Sequence, residues 1–234
     1  MADVVNHEEW IEARIALLLK EKEFTRLRDQ LSAERRALPW EPVTTEYVFE
    51  GDGGYLTLQQ LFGDSSQLIV YHFMFAPDWE AGCPHCSFWA DNFNGIPLHL
   101  KARDVSFVAV SRAPHTKLAA YQKRMGWDFE WVSSLHNTFT YDYFASFKPD
   151  EIADGTAFFN YKRTHPPDSV GTDEVGVSVF SKDGTGQTFH TYSTFARGVD
   201  VLNCAYHYLD LVPNGRDEQG HDNPQFWVRR HDEY

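Results

Sequence analysis

The chain has 234 residues and a mass of 27.0 kDa, enough for one large domain or for a domain with an added arm. Hydrophobic residues make up 42% and charged residues 24%, which excludes wholesale disorder. A net charge of −13 repels a phosphate backbone and argues against nucleic-acid binding, and no apolar run approaches the roughly 18 residues that span a bilayer.

The opening decapeptide MADVVNHEEW is acidic, and no apolar core with a small-residue cleavage site follows it, so a cytoplasmic protein is expected. Residues 8 to about 37 read as a helix. Ile11, Ile15 and Leu18, then Phe24, Leu27 and Leu31, recur at helical spacing until Pro39 stops the run. Seven basic and eight acidic residues over positions 1–39 make it a charge-laced amphipathic arm. Such an arm is expected to pack on its own domain or to join two copies as a homodimer. Without a basic face it is not expected to meet a membrane.

Residues 1–40 are read as this arm, 41–212 as the main domain and 213–234 as a loosely structured tail. In the domain, a short strand at Tyr47–Glu50 turns through GDGG (51–54) into an extended piece at Tyr55–Leu58. A short helical segment ends near Gly63. LIVYHFMF, residues 68–75, is apolar almost throughout, as in a parallel strand buried on both faces. The loop APDWEAG (76–82) follows, and a helix is expected from the Cys83–Cys86 pair to about Leu100. Val105–Ser111 reads as a second buried strand, and His115–Met125 as a helix that Gly126 stops. Two strand–helix units in tandem predict an α/β domain with parallel strands.

Residues 127–161 hold 11 aromatics in 35 positions against 15% overall, so this insertion is expected to bury area or line a pocket. Trp131–Ser134 reads as a short strand, with Asn137 capping a short helix. Gly176–Lys182 and Gln187–Ser193 flank DGTG (183–186), a hairpin signal. A last helix is expected from about Gly198 to Leu211, with Cys204 buried in it.

Three cysteines cannot make a disulfide framework, and two of them form C-P-H-C at 83–86. At the start of a helix, Cys83 meets free backbone N–H groups that favour its thiolate. Cys86 lies one turn on, so a disulfide can close, and Pro84 fits the first helical position. His85 adds a cation beside the nucleophile. The expected roles are attacking thiol for Cys83, resolving thiol for Cys86 and tuning residue for His85. A zinc site would need two more ligands, from Cys204 and one of the 11 histidines, and no metal or cofactor is expected.

Trp79 precedes the pair in its loop. Ser111, Arg112 and His115 end the second central strand, and Tyr192, Ser193, Thr194 and Arg197 end the last. All are expected at the rim that Cys83 and Pro84 occupy, because parallel strands carry their functional loops at their carboxyl ends. Arg112 would support a thiolate or an anionic substrate, or else simply pair with a carboxylate. His72, in mid-strand, is expected to be a hydrogen-bonded core histidine.

The order arm, strands, β-α-β-α, insertion, β-β-α, with C-x-x-C where a central strand hands over to its helix, resembles the thioredoxin fold in its peroxiredoxin-like variant. C-P-H-C is similar to the motif of the bacterial periplasmic disulfide oxidase, and protein disulfide isomerases have glycine in place of its proline. Peroxidase relatives carry P-x-x-x-T-x-x-C, where this chain has Ala76 and Glu80. Thioredoxin has tryptophan before its first cysteine, here Gly82. It also has a substrate-positioning cis-proline before the strand that starts near Gly176, where this chain reads DEVGVSVF.

Longer segments resemble a particular family. EKEFTRLRDQL (21–31), RRALPW (35–40), QLIVYHFMF (67–75), GCPHCSFWADNFNG (82–95), VSRAPHTKLAAYQKRMGW (110–127) and TYSTFARGVDVLN (191–203) are similar to the thioredoxin-like proteins grouped as domain of unknown function 899. The resemblance implies a thioredoxin-like fold and a dithiol–disulfide isomerase activity. The function expected is a thiol–disulfide oxidoreductase acting on an unidentified thiol or disulfide, protein or small molecule. A redox-inactive binding module using the aromatic insertion and Arg112, and a thiol peroxidase, are the alternatives.

Overall fold

The computed structural model describes residues 3–166 and 171–234. The chain divides into two units, Met1–Trp40 and Glu41–Tyr234. The first holds one helix, α1 (His7–Arg36), whose start is set by a capping box. Asn6 Oδ1 accepts from the Glu9 N–H at 3.0 Å, and the Glu9 carboxylate accepts from the Asn6 N–H at 3.1 Å. Glu8 and Glu9 in its first turn and Arg35 and Arg36 in its last complement the helix dipole.

The second unit opens with β1 (Glu41–Pro42), the hairpin β2 (Val48–Gly51) and β3 (Gly54–Thr57), and the short helix α2 (Leu58–Leu61). β4 (Gln67–His72) leads to α3 (Pro84–Ala90) and α4 (Ile96–Lys101), followed by β5 (Val105–Ser111), α5 (His115–Met125) and β6 (Glu130–Ser133). The aromatic insertion adds α6 (Phe139–Asp142), α7 (Pro149–Ala153) and the paired β7 (Phe158–Phe159) and β8 (Lys162–Arg163). Then come β9 (Gly176–Lys182), β10 (Thr188–Phe195), a 3-10 segment over Ala196–Leu202 and α8 (Cys204–Leu209).

The sheet runs β1-β10-β9-β4-β5-β6-β2-β3. β4, β5 and β6 are parallel, and β9 lies antiparallel to β4 on its other side. A β4–α3–β5 unit followed by β9–β10–α8, with the strands ordered β10-β9-β4-β5, is the thioredoxin-like arrangement. Extra strands widen it at both edges.

The unbroken apolar character of the central strands follows from this position. Leu68 and Val70 of β4, with Val108 and Val110 of β5, face a cluster built on Leu58, Leu61 and Phe139. Tyr71 and Phe73, with Phe107 and Ala109, face a second cluster under Trp89, Leu118 and Tyr121. Both faces are buried, so neither strand alternates polar with apolar residues. The aromatic insertion does both things expected of it. Trp127, Phe129 and Trp131 join the second cluster, each worth about 2 kcal/mol of burial. Phe144, Phe147 and Phe158, with Tyr141, Glu151 and Arg163, wall a cavity of about 230 Å³.

Several expectations are corrected. The helix read from the cysteine pair to Leu100 is two helices, because Asn92 turns its side-chain amide onto the Phe88 and Trp89 carbonyls at 2.8 and 3.0 Å and Gly95 takes a left-handed φ of 79°. The last helix is also broken. Asn203 accepts from the Tyr206 N–H at 3.2 Å and so starts α8 anew, which puts Cys204 on its exposed first turn rather than in the core. Segment 213–234 has little regular structure but is not loose: Val228 is buried and Trp227 packs edge-on against Phe88 at 5.3 Å. Among the described residues, no helix is long and apolar enough to cross a membrane.

Candidate active site

The first central strand delivers the cysteine motif to the carboxyl edge of the sheet. Beyond β4 the Phe73 N–H donates to Val110 O at 2.9 Å and the Ala113 N–H to Phe75 O at 2.8 Å, which keeps the chain in register with β5. The loop then returns, and the Cys83 N–H closes on Met74 O at 3.1 Å. Pro84 takes the first position of α3, where a missing N–H costs nothing. Ser87 locks the turn, its N–H and hydroxyl both donating to the Cys83 carbonyl, at 3.0 and 2.8 Å. Gly82 has a steric reason: a Cβ there would sit 2.7 Å from the Phe73 ring and 2.8 Å from the Tyr121 ring. A tryptophan at this position has no room.

Cys83 and Cys86 are both free thiols and both buried. Their environments drive their acidities apart. Cys83 is held well below the ordinary thiol range, first by a hydrogen bond from the Cys86 side chain and then, against the cost of burial, by His85 and the Cys86 N–H. Cys86 is pushed well up by burial and by Cys83 beside it, although the Met74 N–H lies 3.4 Å from its sulfur. His85 holds its proton above its ordinary value through its hydrogen bond to Cys83. α3 has only seven residues, so these local hydrogen bonds, more than a long helix dipole, set the thiolate.

Two further residues belong to this cluster that sequence reasoning missed. The buried Tyr71 hydroxyl, without an oxygen or nitrogen partner, faces Cys86 and lies within electrostatic reach of Cys83 and Glu174. Burial, and then Cys86, raise its pKa well above the phenol range. Glu174 is 5% exposed, and burial drives its carboxyl up to about 7 against hydrogen bonds from the Val175 and Ala196 N–H groups; Cys83 adds to the rise. Ala196 reaches Glu174 from a left-handed backbone, φ 48°, which costs a non-glycine residue about 1–2 kcal/mol. The signals were slight: Tyr71 hides in an apolar run, and Glu174 stands where a proline was sought.

The remaining rim candidates have other duties. Arg112 is fully tied: it donates to Asp173 at 2.7 Å, to the Tyr141 hydroxyl at 2.8 Å and to Thr172 Oγ1 at 2.8 Å. The carboxylate pairing is therefore the one realised, and Arg112 braces the segment that carries Glu174. Ser111 is buried, donating to Phe73 O at 2.6 Å and accepting from Trp131 Nε1 at 3.0 Å. His115 lies 3.4 Å from Asp52. Trp79 packs half-buried against the second cluster, and its carbonyl accepts from Lys117 at 2.8 Å. Tyr192 sits in mid-strand opposite Val179 rather than at the strand's end, and Arg197 is a surface residue paired with Asp200 at 3.3 Å. Of the expected set, the structure brings Cys83, Pro84, His85 and Cys86 together. Among the described residues, no three His, Cys, Asp or Glu side chains converge as metal ligands.

The chain is similar to peroxiredoxin Q of Xanthomonas campestris at 16% identity, covering 72% of this chain and 95% of that one, with a TM-score of 0.49. It is also similar to peroxidoxin BcpB of Mycobacterium tuberculosis at 13% identity, covering 71% and 94%, with a TM-score of 0.47. No curated protein matches the sequence. A family model matches from end to end, over residues 1–234, and the chain belongs to that family, described as bacterial protein of unknown function, DUF899.

Proposed function

We propose that the protein is a thiol–disulfide oxidoreductase that cycles Cys83 and Cys86 between dithiol and disulfide. What carries this reading is the placement of two buried free thiols one turn apart at the start of α3, with the Cys86 thiol and His85 as hydrogen-bonding partners of Cys83, an arrangement that drives the two acidities apart. The Cys83 thiolate attacks one sulfur of a disulfide RSSR, forming Cys83–S–S–R and releasing RS⁻, which takes up a proton. Cys86 then gives up its proton and attacks the Cys83 sulfur, so the internal disulfide forms and the second RSH leaves. Two electrons pass from the dithiol to RSSR. The Tyr71 hydroxyl, which faces Cys86 and lies within electrostatic reach of Glu174, is the group through which the Cys86 proton passes to that carboxyl, whose pKa is about 7.

The test is alkylation of each cysteine by iodoacetamide against pH, in a Cys204→Ser background that removes the exposed thiol. Cys83 reacts as a thiolate well below the free-thiol value of about 8.5, while Cys86 stays silent until well above it. A Cys83 profile that rises only around the free-thiol value of about 8.5 sinks the reading.

Glu174 supplies a second check. Its folded carboxyl holds a proton more tightly than the unfolded chain does, so the unfolding free energy falls as pH rises from about 4.5 to about 7 and is level above. Glu174→Gln removes this loss. Urea titrations should find the variant gaining on the order of 3 kcal/mol relative to wild type between pH 4.5 and pH 8. It also lowers the Cys83 titration, because a neighbouring negative charge is gone. A stability difference that does not change with pH refutes the first statement, and an unmoved Cys83 alkylation profile refutes the second.

A further inference from the structure

Segment 213–234 is fastened across the cysteine motif. The Arg230 guanidinium donates to the Gly82 carbonyl at 2.8 and 3.2 Å and to the Tyr121 hydroxyl at 2.9 Å. His85 shares a hydrogen bond with the Gln225 backbone. The segment therefore holds the residue before Cys83 and the residue two places after it. Its own footing is firm on three sides. The Gln225 side chain donates to Tyr206 at 2.7 Å, Trp227 packs on Phe88, and Val228 is 4% exposed. His231 reaches Asp91 at 2.7 Å, and Arg124 of α5 pairs with Asp232 and Glu233 at 2.7 and 3.1 Å. Cys83, between these two points of attachment, is 6% exposed.

We propose that residues 225–231 act as a size filter that admits low-molecular-weight disulfides to Cys83 and excludes the disulfides of folded proteins. The inference rests on the exchange reading above and names its substrate class. Exchange requires the thiolate, the attacked sulfur and the leaving sulfur to line up, so access at Cys83 decides the substrate. A small disulfide needs only the sulfur itself. A protein disulfide brings a broad surface that meets Trp227 and Arg230 first. The reaction is the balanced one already given, with RSSR a small disulfide that leaves as two RSH and with a small thiol returning the dithiol form.

The experiment compares an uncharged small probe, bis(2-hydroxyethyl) disulfide, with the disulfides of insulin, in the full chain carrying Cys204→Ser. An uncharged probe avoids repulsion by the −13 net charge. Rates are normalised to a free dithiol run in parallel. Wild type should discriminate against insulin by about 100-fold, and Arg230→Ala should recover about tenfold of that, the worth of a lost charge-assisted hydrogen bond. A wild-type ratio equal to that of the free dithiol, or a folded Arg230→Ala protein with the wild-type ratio, overturns the filter. Should Arg230→Ala fail to fold, labelling of wild-type Cys83 decides instead. N-ethylmaleimide reacting while a polymer-linked maleimide does not supports the filter, and equal labelling overturns it. Reaction with neither disulfide sinks the exchange reading itself, and the maleimide comparison still judges the strap.

Discussion

Cys83→Ser abolishes exchange with small disulfides, whereas Cys86→Ser stops it halfway, with one substrate thiol bound to the protein as a mixed disulfide. The asymmetry comes from the site. Only Cys83 is held as a thiolate, by the Cys86 thiol, His85 and the Cys86 N–H, and of the two buried thiols only Cys86 has its acidity suppressed. A serine at 86 keeps a hydroxyl donor for Cys83 and loses only the resolving step. In the Cys204→Ser background, intact mass after mixing with bis(2-hydroxyethyl) disulfide reads both outcomes: no addition for Cys83→Ser, and one added half-disulfide for Cys86→Ser. Equal trapping in both variants would mean that the two cysteines are interchangeable and that the assigned roles are wrong.

The largest effect on stability is expected from His72, through acid. The ring is 2% exposed, its Nε2 lies 2.8 Å from Ser178 Oγ, and a chain of short contacts runs on through Ser193 Oγ to His190 Nε2. Burial, then the nearby His190, push its pKa from 6.5 down to about 3. The unfolded chain therefore binds the proton first. The stability is whole above about pH 6.5 and is lost as pH falls from there toward 3, by on the order of 4 kcal/mol in all. His190 itself faces Glu41 at 3.4 Å. His72→Asn keeps a partner for Ser178 but cannot titrate, so its urea midpoint between pH 6.5 and 4 should fall less steeply than that of wild type. Parallel acid limbs in the two proteins would remove His72 from the account.

What was legible in the sequence is what local pattern encodes. Burial on both faces makes β4 and β5 read as strands, and β5 occupies Val105–Ser111 as expected. The Gly126 stop is real, a left-handed residue with φ 65°. Within the motif, Pro84 marks the start of α3 and so places the cysteine pair at the head of that helix. What was not legible depends on partners far along the chain. Arg230 meets Gly82 across 148 positions and Arg112 meets Asp173 across 61, and no local period carries either contact. Arg197 and Tyr192 were misplaced for a related reason. The pattern ends the strand near Ser193, but β10 continues to Phe195 and Arg197 turns to the surface to pair with Asp200. Asn92 and Asn203 broke two helices through side-chain hydrogen bonds that weak helix propensities only hint at.

The reduction potential of the Cys83–Cys86 couple tests the central claim most directly, read by thiol trapping across a series of glutathione buffers. An acidic thiol beside a protonated partner predicts a single two-electron transition between about −280 and −120 mV. Failure to form any Cys83–Cys86 disulfide at any poise would contradict it.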